Sequence, residues 1–138
     1  MSVKRANGVG VERVREVHGA PRPIGPYSPA TIAGGFLFLS GQTPLDPESG
    51  EVVAGGIREQ TERVLANLAA VLASSGATWM DVVKTTVFLT DMALFAEMNA
   101  VYARVLGDAR PARSTVAVRG LPRGAMVEIE LVAARPSR

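Results

Sequence analysis

The 138-residue chain has no cysteine, which excludes disulfides, thiolate metal sites and a cysteine nucleophile together. Histidine is nearly as scarce: His18 is the only one, and it precedes the patterned part of the chain. Neither a serine–histidine pair nor a histidine-based metal site is expected within one subunit. No apolar run approaches the ~20 residues that span a bilayer, so no membrane partner is expected. Residues 1–19 carry scattered charges and no apolar stretch of the secretory kind, so the cytoplasm is the expected compartment. Phosphate-binding glycine spacing is missing too, because Gly34-Gly35 and Gly55-Gly56 are isolated turn pairs.

What is present has the composition of a globular domain. A chain of this length has room for one core, and an apolar fraction of 47% with 20% charged residues argues against disorder. The sequence pI of about 9.5 raises nucleic acid as a partner. The location of the charge opposes it. Residues 1–24 carry five basic against two acidic side chains, and Arg135 and Arg138 close the chain, whereas residues 25–134 hold eight basic against eleven acidic. The excess positive charge lies in the tails, so no folded basic groove is expected.

Residues 1–19 show no sustained apolar period and read as a flexible extension, with a single domain over residues 20–138. Ala30-Thr31-Ile32 and Phe36-Leu37-Phe38-Leu39-Ser40 flank Gly34-Gly35, a hairpin signal. From residue 57 to about 74 the period becomes helical, with Ile57, Val64, Leu65, Leu68, Val71 and Leu72 on one stripe and Gly76 as the stop. Residues 82–89 form a β-branched strand. A second helix is predicted over about 93–106, with Leu94, Phe95, Met98, Val101, Tyr102 and Val105 inward and Gly107 as terminator. Residues 114–118 and 126–133 alternate as strands around the loop 119–125. The predicted order is ββ-α-β-α-ββ, an α+β fold with two helices on one face of a mixed sheet. Phe36 to Leu39 is apolar at every position, and residues 82–89 are apolar on both parities. Such strands call for burial on both faces, and two helices cover only one. The other face is then buried against further copies of the chain.

The last two strands carry the candidate chemistry. Side chains alternate along a strand. Read as a hairpin with Val116, Val118, Val127 and Ile129 in the core, these strands put Arg113, Thr115, Glu128 and Glu130 together on the opposite face. Arginine grips a carboxylate bidentately, and a desolvated glutamate exchanges protons with water near neutral pH. An Arg–Glu pair across a hairpin is more often an ordinary ion pair, and spacing alone leaves both readings open. Tyr27, flanked by prolines, suits a pocket wall or a turn anchor. Asn99 suits the surface or a helix–strand contact, and Lys84 a snorkelling lysine on an edge strand.

Six segments carry a more specific signal: Ile24-Gly25-Pro26-Tyr27-Ser28, Leu39-Ser40-Gly41-Gln42-Thr43-Pro44, Val83-Lys84-Thr85-Thr86-Val87-Phe88-Leu89-Thr90-Asp91, Asn99-Ala100-Val101-Tyr102, Arg110-Pro111-Ala112-Arg113-Ser114-Thr115 and Val127-Glu128-Ile129-Glu130. In order and approximate spacing they resemble the RidA family, also called YjgF or reactive intermediate deaminase, and in older usage L-PSP endoribonuclease. The resemblance covers about residues 20–134. It implies a chorismate-mutase-like α+β fold, a homotrimer with sites at the subunit interfaces, and no cofactor or metal. The implied activity is hydrolysis of 2-aminoacrylate and related 2-imino acids, products of pyridoxal-phosphate enzymes, to keto acids and ammonia. By the same resemblance Arg113 binds the substrate carboxylate, Glu128 activates water and Tyr27 lines the pocket. The backbone of Ser40, Gly41 and Thr115 adds hydrogen bonds, and Asn99 is a supporting polar residue. Many members have cysteine where this chain has Thr115, a departure that bears on substrate range. Two other functions stay open: a non-catalytic trimer binding keto or amino acids, and the RNA cleavage of the older name.

Overall fold

The computed structural model describes residues 2–3 and 10–137. In chain order the elements are β1 (Ser2–Val3), β2 (Glu12–Val14), β3 (Ala30–Ala33), β4 (Phe36–Gln42), α1 (Ile57–Ser74), β5 (Val82–Leu89), α2 (Phe95–Leu106), β6 (Ala112–Ala117) and β7 (Val127–Ala134). The strands form one mixed sheet in the order β1-β2-β3-β4-β7-β5-β6. All neighbours are antiparallel except β5 and β6, which run parallel. This is the α+β architecture predicted, with both helices on one face. No described helix is long and apolar enough to cross a membrane.

Local chemistry accounts for the elements. Gly34 and Gly35 both take positive φ, 58° and 83°, the backbone that a two-residue hairpin between right-twisted strands requires. At the start of α1 the Glu59 carboxylate accepts the Gly56 N–H at 2.8 Å, satisfying an amide that the helix leaves free. The predicted stripe from Ile57 to Leu72 is buried. The helix stops where Gly76 turns to a φ of 75° and the Ala77 N–H donates back to the Leu72 carbonyl at 2.9 Å. In α2 Met98, Val101 and Tyr102 are buried together with Leu106, while Leu94, Phe95 and Val105 pack at the margin.

Two expectations are corrected. Glu12–Val14, read as part of a flexible extension, pairs with β3 (Arg13 opposite Thr31), and Val14 is buried in the core. A strand of three residues offers one inward side chain and so has no period to detect. Residues 1 and 4–9 of that stretch lie outside the described residues. The second correction matters more. β6 and β7 are not hairpin partners, because β5 lies between them. The connection through α2 lays β6 parallel against the far edge of β5, and β7 enters the slot between β4 and β5. Alternation within a strand fixes its two faces but not its neighbours. Lys84 accordingly lies on an interior strand, with its Nζ donating to Ser114 Oγ at 3.4 Å.

The core fills the space between the helices and the inner sheet face, where Leu37, Leu39, Val87, Ile129 and Leu131 converge. The outer face keeps Phe36, Phe38, Val83 and Val116 at 42–44% exposure, an apolar patch of the kind that marks an interaction surface.

Helix α1 also buries polar groups that the apolar stripe does not announce. The Asn67 Nδ2 donates to the carbonyls of Thr43 and Leu45 at 3.2 and 3.0 Å. Gln60 Oε1 accepts the Met126 N–H at 2.8 Å. The helix thereby holds the backbone after β4 and the backbone before β7. Asn67→Ala removes both hydrogen bonds, although the Thr43 carbonyl keeps the Leu45 N–H at 2.8 Å, and is expected to cost about 1–3 kcal/mol in chemical denaturation. The hydroxyl of Thr61, buried without a partner, is the control: Thr61→Val is expected to be neutral or stabilising.

Candidate functional site

Arg113 owes its position to the parallel pairing of β6. It lies opposite Thr85, and Thr115 opposite Val87; Thr85 and Val87 are 1% and 0% exposed on the helix-covered face. The Arg113 guanidinium stands over the Tyr102 ring at 4.7 Å and the Phe95 ring at 5.6 Å from their centroids, close enough for cation–π attraction. Its Nη1 donates to Asn99 Oδ1 at 2.8 Å. Phe95, Asn99 and Tyr102 follow at helical spacing and so share one face of α2. The Tyr102 hydroxyl is hydrogen-bonded to Thr85 Oγ1 at 2.7 Å, which orients the ring beneath the guanidinium. Among the described residues the ion pairs are Arg58–Glu97, Arg104–Glu62 and Arg135–Glu12. None neutralises Arg113. A half-buried, oriented guanidinium without a carboxylate partner is suited to an external anion. Thr115 lies beyond it on the same face, with its Oγ1 buried and unpartnered.

Glu128 belongs to the other face. On β7 it sits opposite Phe88, with Glu130 opposite Thr86. Both carboxylates line a cavity of about 450 Å³ with Tyr27, Ser40, Gly41 and Thr43. A bulge in β4 builds its floor: the pairing passes from Leu39–Leu131 to Gln42–Ile129, one extra residue on β4. Leu39 and Gln42 both turn inward, 5% and 8% exposed, which places Ser40 and Gly41 at the cavity. Bulges re-aim side chains in this way. Ser40 Oγ donates to the Ser28 carbonyl at 2.6 Å, and its N–H donates to the Pro29 carbonyl at 3.0 Å. Both donors thus fasten the segment that carries Tyr27. The Tyr27 hydroxyl accepts the Ile24 N–H at 3.3 Å, and the ring stays 47% exposed at the cavity wall. Burial first, and the Glu130 charge second, push the Glu128 carboxyl above the usual glutamate range. No described residue donates a hydrogen bond to it. Such a group can carry a proton near neutral pH.

The candidate residues therefore fall into two sets. Arg113, Thr115 and Asn99 sit on the helix-covered side at the β6 edge, and Tyr27, Ser40, Gly41 and Glu128 surround a cavity on the outer side. The expectation that Arg113 and Glu128 share a face is overturned, because Arg113 aligns with Thr85 on the helix-covered face of β5 and Glu128 with Phe88 on the other, which leaves Val116, expected in the core, on the outer face. It follows that they do not form the cross-strand ion pair either. In the sequence Phe95 and Tyr102 belong to the apolar stripe of α2, which does not announce a platform for Arg113. Its signal was the helical spacing of both rings to Asn99.

Comparison with known proteins places the chain in a family and matches its fold. Residues 17–135 match the family described as Endoribonuclease L-PSP. A RutC family protein of Pyrococcus horikoshii is 52% identical over 114 residues, covering 83% of this chain and 90% of its own length. Reactive Intermediate Deaminase A, chloroplastic, of Arabidopsis thaliana is 46% identical over 114 residues, covering 83% of this chain and 61% of its own. The crystal structure of Escherichia coli TdcF with bound serine superposes with a TM-score of 0.84 at 36% identity, covering 90% of this chain and 99% of that one. The chain belongs to the L-PSP family, the RidA/YjgF group that includes RutC and Rid proteins.

The raised Glu128 carboxyl has a consequence for stability. The folded protein holds this proton more tightly than the unfolded chain does. The resulting stabilisation is complete below the usual glutamate value and is lost as pH rises through the raised one. Glu128→Gln, which cannot ionise, is therefore expected to melt above the wild type at neutral pH. The difference should vanish below about pH 4. A melting difference independent of pH would contradict this account of Glu128.

Proposed function

We propose that this protein hydrolyses reactive 2-imino and 2-enamino acids, such as 2-aminoacrylate, to 2-keto acids and ammonia. It works as a homotrimer with each site between two copies. The observation that carries the reading is the separation of an unneutralised guanidinium and a carboxyl of raised proton affinity onto opposite faces of one sheet. A small substrate touching both must lie between the Arg113 edge of one copy and the Glu128 cavity of another. The apolar outer face, with Phe36, Phe38 and Val116 exposed, supports such an assembly. The similarity to a protein named as a reactive intermediate deaminase supports the chemistry.

The residue types suit the reaction. An imine carbon is already electrophilic, so a positioned water and a proton carrier suffice. Arg113 holds the substrate carboxylate in two hydrogen bonds, with Asn99 and the Tyr102 ring keeping the guanidinium aimed. Fixing the carboxylate places the imine carbon against the water, an orientation effect. Glu128 takes a proton as the water oxygen bonds to carbon, giving a tetrahedral carbinolamine. It passes that proton to the nitrogen, then takes the hydroxyl proton and delivers it to the same nitrogen as the C–N bond breaks, so that the C=O bond forms and neutral ammonia leaves. Water is consumed and one ammonia is released. An enamine first accepts a proton at its methylene carbon and gives one up from nitrogen to become the imine.

Arg113→Ala is expected to lower kcat/KM by about 10–100-fold, mainly through KM, since it removes charge-assisted hydrogen bonds to the substrate. Glu128→Ala is expected to lower kcat by about 10²–10⁴-fold. Both are read from keto-acid release while a pyridoxal-phosphate enzyme generates 2-aminoacrylate in the same cuvette. Full activity in either variant, or in a wild type that sediments as a monomer, would sink the assignment. A second reading, a non-catalytic trimer binding amino or keto acids, is favoured by the serine bound to TdcF. Calorimetric binding of serine without any rate enhancement on imines would select it. The family description raises RNA cleavage as well. The single histidine lines a different cavity with Glu16 and Asp46, and RNA degradation lost with Glu128→Ala would be needed to revive that reading.

A further inference from the structure

We infer that Gly41 is a positioning residue for Glu128: the space left by its missing Cβ is where the Glu128 carboxylate lies. A Cβ built on Gly41 would stand 2.9 Å from Glu128 Cδ and 3.1 Å from Cγ, and would overlap Oε2 outright. Real Cβ atoms do not approach so closely, so any side chain at 41 moves the carboxylate.

Backbone conformation does not explain this glycine. Gly34, Gly35, Gly50, Gly107 and Gly124 all have positive φ with nothing near an added Cβ; they are needed for their turns. Gly41 is not among the positive-φ residues, and its constraint is room alone. The β4 bulge makes the arrangement possible. With Leu39 and Gln42 both turned inward, the residues between them pass beneath the carboxylate on the next strand, where only a hydrogen atom fits.

The seat also accounts for the state of the carboxyl. Lying on Gly41, it is shielded from water on that side and meets no donor. The titratable groups facing it are Glu130 on its own strand and Tyr27 on the segment before β3. β4 contributes no charge, and β5 sets Phe88 opposite while its Lys84 is turned to Ser114. A carboxylate pushed off the seat enters the open cavity and recovers water.

The catalytic consequence rests on the deaminase reading, but the seat itself is testable without it. Glutamate carboxyl ¹³C resonances are titrated in the intact wild type and in Gly41→Ala. The Glu128 titration is expected to move back toward the usual glutamate range in the variant, and an unchanged titration overturns the inference. Any loss of melting temperature caused by Gly41→Ala is expected to disappear in the Glu128→Ala background, where nothing is left to clash. A loss of equal size in both backgrounds overturns it even if the variant is poorly folded. In the imine assay Gly41→Ala is expected to lower kcat by about 10²-fold with KM little changed, because the Arg113 side is untouched. Introduced into Glu128→Asp, whose shorter side chain withdraws from the seat, the same substitution should cost less than about a tenth of that factor; an equal loss there counts against the seat. Activity that survives Glu128→Ala refutes the catalytic role of Glu128, and the titration still decides the role of Gly41.

Discussion

Hydrogen bonding of β5 to β7 on one side and to β6 on the other sets the direction of the polar side chains at both halves of the candidate site. Thr85 and Val87 carry Arg113 and Thr115 to the helix side through the parallel register. Phe88 and Thr86 carry Glu128 and Glu130 to the outer side through the antiparallel one. Had β6 and β7 been neighbours with Arg113 and Glu128 on one face, the two charges would have met and quenched each other. An adjacent guanidinium would also have held the carboxyl in its ionised form. Their placement on opposite faces leaves, among the described residues, a cation with no counter-ion and a carboxyl whose proton affinity is raised. Each alone is an unfavourable arrangement, and such arrangements persist where a ligand completes them.

Each half is braced by a helix. On the Arg113 side, α2 supplies two aromatic faces and one carboxamide at successive helical positions, and the Tyr102–Thr85 hydrogen bond ties that platform to the sheet. On the Glu128 side, α1 acts from behind the sheet: Asn67 holds the chain leaving β4, and Gln60 holds the chain entering β7. These buried amides fix the two backbone segments whose spacing determines whether the Glu128 carboxylate fits over Gly41. Packing on one face of the sheet thereby controls geometry on the other, because the strands between are stiff and close-packed.

Most of the architecture was legible in the residues, for reasons that can be named. Gly34-Gly35 admits the turn that β3 and β4 need, the stripe from Ile57 to Leu72 has only a helical solution, and Gly76 and Gly107 end helices where the chain must turn. The β2 strand was not legible, since Val14 alone cannot show a period. Gln60 and Asn67 were missed because a buried amide looks like a surface residue until its partners are known. The Phe95–Tyr102 platform was hidden by being correctly read as apolar stripe.

For the candidate site, the residue types by themselves limited the chemistry that can be proposed: Arg113 and Glu128 stand in motifs that match the family, with no thiol and no histidine in the body of the chain to compete with them. Alternation along each strand also determined which residues travel together, Arg113 with Thr115 and Glu128 with Glu130. Only the tertiary structure decided how those two sets relate. Parity is a property of a single strand, whereas facing depends on which strand lies alongside. That choice was made by α2 carrying the chain over the sheet to the far edge of β5, a long-range packing outcome with no local signature in residues 112–134.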